Sequence, residues 1–124
     1  MSCVFCAIAS GEIRTSRVDE DDLGVAFFDA VPKSPGHTLV VPRQHVVDLS
    51  DGADAYLAIT PLVTRVAQRL QDRLGADGVN LVVNSGVSAG QEVAHLHVHV
   101  IPRYGEGATA PESIEAAFEA LTRP

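Results

Sequence analysis

Three histidines alternate with apolar residues in one short stretch of the chain. His95, His97 and His99 lie within residues 93–101, and the positions between them are leucine and valine. Alternate side chains of a strand lie on the same face, so the three imidazoles would share one face while the apolar residues face a core. The pattern therefore predicts a strand over residues 93–101, buried on one side and ended by Pro102.

The remaining periodicities predict a mixture of strands and helices. Apolar residues recur every three or four positions between residues 53 and 74, which is typical of a long amphipathic helix, and Gly75 is suited to end it. Pro61 lies inside this span and lacks an amide donor, so we expect a kink or a break near Ile59. The other predicted elements are strands at 18–22, 25–29, 37–41 and 79–84, a helix or turn at 3–10, and a terminal helix at 114–121.

Strands followed by a long helix and further strands indicate the α+β class. We expect an antiparallel meander sheet with a long helix packed on one face and short terminal helices. A chain of 124 residues is long enough for one core and too short for two, so a single domain over residues 1–124 is expected. A small sheet leaves edge strands that need cover, which favours a homodimer.

The charge balance limits the possible partners. Sixteen acidic residues against nine lysines and arginines give a formal charge of −7. Nucleic-acid grooves need a dense basic patch, so we expect no nucleic-acid partner, and an anionic ligand would need local donors. The N-terminal residues lack the features of a signal peptide, and no apolar run approaches ~20 residues, so we expect a cytoplasmic protein without membrane contact.

Two simpler interpretations of the three histidines remain. A solvated polar face is one, although threonine, lysine or glutamate would serve as well there. A three-histidine metal site is the other, but on a strand the Cα atoms of His95 and His99 would be about 13 Å apart, which does not suit one ion with bonds of about 2.0–2.1 Å. Two neighbouring histidines could share a metal. We therefore expect a division of labour among the three.

The loop before the predicted strand has the composition of an anion site. Asn84, Gly86, Gly90 and Gln91 combine close backbone approach with uncharged side-chain donors. Beside a histidine face, such donors would hold a phosphate close to a neutral imidazole, which is a good nucleophile toward phosphorus near pH 7. The combination favours chemistry at a phosphorus atom.

The stretch from His95 to Ile101 resembles the H-φ-H-φ-H-φ-φ signature of the histidine-triad (HIT) superfamily, in which φ is an apolar residue. The similarity extends over roughly the whole chain and is carried by residues 3–8, 27–29, 35–42, 90–93 and 102–105. The last two segments are similar to the bacterial Hint-type branch. The resemblance implies the HIT fold and a nucleotide as the ligand.

The resemblance also implies roles for individual residues. His97 would be the nucleophile that takes the nucleotidyl group, His99 would lie near the phosphate and the leaving group, and His37 would be its proton-relay partner. Asp29 would bind the ribose hydroxyls. From the residues alone, Phe5, Ile8 and Phe27 are ordinary core and Asp29 is a turn residue. The α-phosphate would be held by Asn84, Gly90 and Gln91, and Glu92 would be a further nucleotide-binding residue. The wall of the base pocket would consist of Phe5, Ile8, Ile13 and Phe27.

The chain departs from the family pattern at three positions. Glu92 stands where a serine or threonine often contacts the phosphate or the leaving group, and a carboxylate there could repel phosphate or select an amine leaving group. Ala30 replaces a larger aliphatic residue at the base pocket, and Ala94 replaces a usual aromatic residue. The substitutions at Ala30 and Ala94 affect which base the pocket is expected to accept.

A structural zinc ion is the expected cofactor. Cys3 and Cys6 form a C-x-x-C pair, which in a reducing compartment indicates metal ligands or a redox pair more readily than a disulfide. Structural zinc takes four ligands, so two histidines must complete such a site. His45 and His95 remain once the resemblance has assigned the other three, and some superfamily members have a Cys2His2 site so placed. The alternative is a pair of buried thiols.

These features predict an enzyme that hydrolyses nucleoside 5'-phosphoramidates, adenylates or related nucleotidyl substrates. Its partner would be a purine nucleotide or nucleotidyl conjugate, and a nucleotidyl-histidine would form and be resolved by water, with no metal required for the chemical step. The alternatives are a dinucleoside polyphosphate hydrolase or nucleotidylyltransferase, and a zinc-stabilised nucleotide-binding scaffold with little activity. A metal-dependent hydrolase is a further, less favoured alternative.

Overall fold

The computed structural model describes residues 3–124, so Met1 and Ser2, the first two residues of the predicted domain, lie outside the described part. Within it, five strands form an antiparallel sheet that packs with α-helices, which confirms the predicted α+β class. The strands are β1 (Arg17–Glu20), β2 (Gly24–Phe28), β3 (Thr38–Pro42), β4 (Gly78–Val82) and β5 (Val98–Arg103). The α-helices are α1 (Val4–Ser10), α2 (Leu49–Leu74) and α3 (Ile114–Thr122).

The strand that carries His99 lies inside the sheet. The strand order is β1-β2-β3-β5-β4, and every neighbouring pair is antiparallel. The first three strands form a meander, and after α2 the chain returns so that β5 inserts between β3 and β4. His99 is paired with Leu39 on one side and with Val82 on the other, so its backbone is fixed at both edges.

Alternating residues of the sheet bury two apolar clusters on opposite faces. Val40 and Val100 pack against Leu62 and Leu70 of α2, and α3 adds Leu121 to the same cluster. The neighbouring positions of β3 point the other way, so α1 covers the opposite face from the two longer helices. That second cluster consists of Phe5, Ile8, Ala9, Val25, Phe27, Leu39 and Val41.

α2 begins four residues earlier than the sequence predicts and has an early kink. The Asp48 side chain accepts a hydrogen bond from the Ser50 amide, and the Asp51 carboxylate accepts one from the Asp48 amide, a capping arrangement that starts the helix at Leu49. Gly52 then departs from helical geometry, with φ −122° and ψ 25°.

No helix in residues 3–124 has the length and apolar character needed to cross a membrane.

The expectation of a kink or a break near Ile59 is wrong, because α2 passes Pro61 with helical dihedral angles. Proline removes the amide that would donate to the carbonyl of Leu57. The Thr60 hydroxyl donates to that carbonyl instead, at 2.7 Å. Pro61 also lies on the exposed side of the helix, so no buried hydrogen bond is lost.

The last strand begins at Val98, five residues later than predicted. Residues 93–97 form no ladder with the sheet, and the amide of Leu96 donates to a loop carbonyl at 2.9 Å instead. His95 and His97 therefore precede β5. The predicted alternation persists, because Leu96 and Val98 are buried in the core while a phenylalanine ring of α1 packs edge-on against both histidine rings.

Candidate active site

A cavity of about 490 Å³ lies where β4 and β5 meet the loops at residues 29–37 and 84–93. This volume is in the range of small-molecule sites. The cavity wall includes most of the residues predicted to bind or react with a nucleotide. They are Phe5, Asp29, His37, Asn84, Gly90, Glu92, His97 and His99.

Gln91, predicted to hold the α-phosphate, does not line the cavity. Its side-chain oxygen accepts a hydrogen bond from the amide of Gly86 at 2.8 Å. Its side-chain nitrogen donates to the carbonyls of Val47 at 2.6 Å and Val93 at 3.0 Å. The structure therefore engages both ends of this amide within the protein, where it fixes the shape of the loop at residues 84–93.

Three of the four predicted base-pocket residues also lie outside the cavity wall. Ile8 and Phe27 are buried in the cluster beneath α1, and Ile13 is 43% exposed. Only Phe5 reaches the cavity. Phe27 packs against Phe5 with ring centroids 5.5 Å apart, so it supports the aromatic wall from behind.

The ring of His97 has one nitrogen fixed by the main chain. Its Nδ1 lies 2.7 Å from the carbonyl oxygen of His95, which can only accept, so Nδ1 carries a proton. In the neutral imidazole the lone pair is then on Nε2. Phe5 packs edge-on against the ring with centroids 5.2 Å apart, and His97 is only 7% exposed. A lone pair held in this way has the geometry of a nucleophile.

His37 and His99 form a directed hydrogen-bonded pair. The amide of Lys33 donates to Nδ1 of His37 at 3.0 Å, so the proton of neutral His37 is on Nε2. Nε2 of His37 lies 3.0 Å from Nδ1 of His99, which places the proton of neutral His99 on its own Nε2. The Asp29 carboxylate lies 3.4 Å from Nε2 of His37. The Nε2 proton of His37 therefore lies between the His99 ring and the Asp29 carboxylate, and the three side chains form a cluster that can hold and exchange a proton.

Burial lowers the pKa of both members of this pair. The pKa of His37 falls to about 4, because desolvation outweighs the opposing attraction of the Asp29 carboxylate. The pKa of His99 is also lowered, first by burial and then by the neighbouring His97. Both rings are therefore neutral near pH 7 in the free protein.

A second cluster joins Cys3, Cys6, His45 and His95, the four predicted zinc ligands. Nδ1 of His95 lies 3.4 Å from the Cys3 sulfur, 3.5 Å from the Cys6 sulfur and 3.2 Å from Nδ1 of His45. The Cys6 sulfur is 3.3 Å from Nδ1 of His45. Nε2 of His95 donates to the carbonyl of Pro42 at 2.8 Å, so its lone pair is on Nδ1 and faces the cluster.

This cluster fits a tetrahedral metal site. Zinc bonds of about 2.3 Å to sulfur and about 2.0 Å to nitrogen imply ligand atoms roughly 3.3–3.8 Å apart, close to the separations observed. A carbonyl that accepts from the far nitrogen of a histidine is a common outer partner of a metal ligand. The four side chains can therefore hold zinc.

The group of Asp29, His37 and His99 does not fit a metal in the same way, although its ligand atoms also lie close together. Nδ1 of His37 already accepts from a main-chain amide. Binding a metal through Nε2 would then require an imidazolate or the loss of that hydrogen bond. The arrangement suits proton transfer better than metal binding.

Two cations on the cavity wall were not identified from the sequence. Lys33 lies in the proline-rich loop just before His37, and Arg103 lies at the end of β5. Arg103 also donates from Nε to the side-chain oxygen of Asn80 at 2.7 Å. The position of Lys33 beside a candidate histidine was the only local signal. These cations offer positive charge to an anionic ligand within an acidic chain.

A HIT domain profile matches residues 10–106. The adenosine 5'-monophosphoramidase of Schizosaccharomyces pombe is 36% identical and is aligned over 98% of this chain and 97% of that protein. A HIT-like protein of Mycoplasma pneumoniae is 43% identical over 98% of this chain and 91% of its own length. A Zn-bound histidine triad family protein from Mycobacterium smegmatis superposes with a TM-score of 0.87 at 37% identity, covering 98% of this chain and 91% of that chain.

Proposed function

The chain belongs to the HIT domain family, and from that premise we propose that it hydrolyses nucleoside 5'-phosphoramidates, adenylates or related nucleotidyl substrates through a nucleotidyl-His97 intermediate. The family supports a nucleotide hydrolase, and one relative carries the name of a phosphoramidase. The observation that carries the proposal is the bond from His97 Nδ1 to the His95 carbonyl. It leaves Nε2 unprotonated on a ring that lines the cavity.

In the first step, the Nε2 lone pair of His97 forms a bond to the α-phosphorus as the bond from phosphorus to the leaving group breaks. The working form carries one extra proton on His99. The Asp29 carboxylate, 3.4 Å from Nε2 of His37 and 3.9 Å from Nδ1 of His99, would then accept from both nitrogens and stabilise this charge together with the bound phosphate. Nε2 of His99 delivers that proton to the departing nitrogen, so a neutral amine leaves.

In the second step, water attacks the phosphorus and the bond to His97 Nε2 breaks. The proton lost by water returns to the His99–His37 pair, and a nucleoside 5'-monophosphate is released. The imidazolium character of the nucleotidyl-His97 ring is stabilised because its Nδ1 proton remains bonded to the His95 carbonyl. The pair loses one proton in the first step and regains one in the second, so the cycle closes.

The cavity residues supply the remaining contacts of the proposal. Asn84 and the amide of Gly90 would hold the α-phosphate, with Lys33 adding positive charge. Asp29 would contact the ribose, and Phe5 would contact the base. The proposal treats residues 1–124 as one domain. A purine has the larger surface for stacking on this ring.

We also propose that Cys3, Cys6, His45 and His95 bind a structural zinc ion. Support comes from the separations of the four ligand atoms and from the orientation of His95, together with a zinc-bound relative. Zinc there would tie α1 to the segments before α2 and β5. It would have no part in the chemical step.

A homodimer is a further part of the proposal. β4 is an edge strand of the described sheet, and its Leu81 is 56% exposed. An unpaired edge with an exposed apolar side chain favours association with a second copy. Sedimentation should give twice the chain mass of 13.1 kDa, and a 13.1 kDa species at micromolar concentration would contradict this part.

Trapping the intermediate tests the proposed function. An adenosine phosphoramidate is mixed with the protein, quenched in denaturant at alkaline pH and digested, and a nucleotidyl group is expected on the peptide that contains His97. His97→Ala should lose the adduct and at least about 10³-fold in kcat, while still binding AMP. Binding without any adduct or turnover in the unmodified protein would indicate the scaffold alternative. Unimpaired kcat/KM in His97→Ala would refute the mechanism.

A further inference from the structure

The face of β5 that carries His99 continues beyond the histidine pair as an open surface. Alternate residues of a strand share a face, so Ile101 and Arg103 follow His99 on the same side of the sheet. All three side chains line the cavity. Within residues 3–124, the sheet residues of the apolar cluster beneath α1 belong to β2 and β3, so α1 leaves this part of β5 uncovered. A ligand that extends past the histidines would therefore lie here.

Arg103 lies at the far end of this surface, and its side chain is directed back toward the histidines. Asn80 on β4 is paired with Ile101, which is one step closer to His99 than Arg103 is. Nε of Arg103 donates to the side-chain oxygen of Asn80 at 2.7 Å, so the guanidinium group lies beside the middle of the surface. Residues two apart on a strand are about 7 Å apart, which brings this group within reach of a ligand bound at His99.

A hydrogen bond between two chain segments places Lys33 close to Arg103. The hydroxyl group of Ser34 donates to the carbonyl of Pro102 at 2.6 Å, and the two cations are the chain neighbours of these residues. Both cations line the cavity, are exposed and form no salt bridge within residues 3–124. Burial lowers the pKa of His37 against the opposing effect of a carboxylate, and the charges of Lys33 and Arg103 lower it further.

The two carboxylates of the cavity wall are placed differently. Asp29 faces the rings of His37 and His99, at 3.4 Å and 3.9 Å from their nitrogens. Glu92 belongs to the loop that leads into β5, whereas Arg103 ends that strand. The end of the cavity at Arg103 is therefore locally cationic, although the chain has a formal net charge of −7.

In the proposed mechanism, the leaving group would extend over this surface. A nucleophile attacks phosphorus on the side opposite to the bond that breaks. His97 precedes His99 in the chain and the cationic end follows it, so a group that departs away from His97 would pass over Ile101 toward Arg103. The nucleoside would lie toward Phe5, beneath α1.

We propose that Arg103, together with Lys33, determines specificity at a leaving-group subsite for an anion that a short apolar chain separates from the breaking bond. This inference rests on the proposed function, since it names the substrate class of the same site. Ile101 would contact the apolar chain, and the guanidinium group would donate to a carboxylate or a phosphate. Three methylene groups span roughly 5 Å, which suits the spacing of His99 and Ile101.

Matched adenosine 5'-phosphoramidates test the inference. In one, the leaving amine is 4-aminobutanoate, and in the other it is 4-aminobutanamide, which has nearly the same shape without the charge. The ratio of kcat/KM for the acid to the amide should be about five at low salt, the size expected for one exposed ion pair. The ratio should fall toward one at 1 M salt, where the screening length is about 3 Å.

A third substrate distinguishes the two kinds of anion. The phosphoramidate of 3-aminopropylphosphonate has the same chain length as that of 4-aminobutanoate but ends in a phosphonate. Whichever anion gives the larger ratio to the neutral amide identifies the group that the subsite recognises. If neither anion is preferred to the amide at low salt in the unmodified protein, the inference is wrong.

Arg103→Gln should bring the acid-to-amide ratio close to one. Arg123→Gln, which removes an exposed arginine away from the cavity, is the matched control and should keep the ratio. Each ratio is measured within one protein, so a loss of folded protein or a change in the pKa of the histidine pair cancels.

A shorter pair of substrates tests the position of the subsite. The carboxylate of a glycine conjugate lies too close to the phosphorus to reach Arg103, so its ratio to the glycinamide conjugate should be the same in Arg103→Gln as in the unmodified protein. An unchanged ratio for the 4-aminobutanoate pair in Arg103→Gln overturns the inference, while hydrolysis of the neutral amide leaves the proposed function standing. Absence of turnover with every substrate in the unmodified protein overturns both.

Discussion

Main-chain groups determine which ring nitrogen is free in three of the histidines. The carbonyl of His95 accepts a hydrogen bond from Nδ1 of His97, the carbonyl of Pro42 accepts one from Nε2 of His95, and the amide of Lys33 donates one to Nδ1 of His37. Since a neutral imidazole has one proton, each contact selects the opposite nitrogen for chemistry. In the proposed function, one short sequence motif would thus supply a nucleophile and a metal ligand, with a proton-donating pair beside it.

The leaving group should decide how much His99 matters. An amine departs only with a proton, whereas the carboxylate of an acyl-adenylate departs without one. His99→Ala should therefore lower kcat for an adenosine phosphoramidate by about 10²–10⁴-fold and for an acyl-adenylate by less than about 10-fold. Steady-state kinetics with both substrates measure this, and an equal loss for the two would contradict a proton-donating role.

Buried His37 should make the fold less stable in acid. The unfolded chain binds a proton on this ring near pH 6.5, whereas in the folded protein its pKa is about 4. The unfolded state therefore binds more protons as the pH falls from 6.5 to 4, and stability falls over that window by up to about 3 kcal/mol from this residue. Above pH 6.5 the contribution is complete.

Urea unfolding at several pH values, with chelator present throughout, measures this effect. His37→Gln has no group that titrates in the window, so its free energy of unfolding should fall less steeply between pH 6.5 and pH 4.5. His95 is unchanged in both proteins and cancels in the comparison, so the difference in slope comes from His37 together with its hydrogen-bonded partner His99. Identical slopes in the two proteins would show that His37 does not contribute.

For individual residues, the sequence predicted which histidines lie together in the candidate site but not every contact of the residues around them. The spacing of the histidines and the family resemblance led to His37, His97 and His99, which do line one cavity. Gln91 does not line the cavity, because its amide is held by main-chain groups that include the carbonyl of Val47, which is distant in sequence. Lys33 was missed because a single exposed lysine in a loop carries no pattern.

At the scale of the elements, the kink in α2 depends on close packing rather than on backbone strain. Gly52 has φ −122°, which any residue can adopt, but an added Cβ would lie 2.5 Å from Cγ2 of Val46. Val46 is buried with Ala55 and Leu96 in a small apolar cluster. The glycine therefore lets the start of the helix approach that cluster.

Gly52→Ala should destabilise the protein by about 1–3 kcal/mol through overpacking. Gly78→Ala is the control, because the nearest atom to its added Cβ is 3.9 Å away, and its cost should be smaller. In a Val46→Ala background the additional cost of Gly52→Ala should shrink, since the clashing methyl groups are gone. Chemical unfolding of the four proteins gives the coupling, and equal costs in both backgrounds would exclude this explanation.

The sequence predicted whether a segment forms a helix or a strand more accurately than it predicted where that element begins and ends. The spacing of apolar residues identified α2 and the strand that carries His99. The strand begins at Val98 rather than at residue 93, because the amide of Leu96 donates to a carbonyl outside the sheet. The effect of Pro61 was overestimated because a neighbouring threonine replaces the missing donor. In both cases a single hydrogen bond, invisible to a pattern of apolar residues, decided the outcome.

At the scale of the molecule, the sheet order is what brings the two histidine clusters together. The insertion of β5 between β3 and β4 could not be predicted from the sequence, because antiparallel pairing leaves several orders open. It places His95 against the end of β3 and α1, with His97 and His99 at the cavity. The His95 ring faces the sulfur atoms, while its carbonyl holds His97.

Zinc at the Cys3, Cys6, His45 and His95 cluster should therefore stabilise the whole fold, since it would join segments far apart in the chain. A metal that binds only the folded state adds about 2.7 kcal/mol when its free concentration is a hundred times its Kd. For a domain of this size that corresponds to a Tm difference of roughly 10 °C between the zinc-loaded and the chelator-treated protein.

His45→Ala is the most informative variant for this prediction, because His45 is exposed and its removal leaves the core intact. The variant should show a smaller difference in Tm with and without chelator, and it should retain less zinc after gel filtration. Calorimetry and metal analysis read the two quantities independently of activity. Protein expressed with abundant zinc that still contains less than ~0.2 zinc per chain, and melts identically in chelator, would contradict a structural zinc, given apparent binding energies of ~10 kcal/mol or more for such sites.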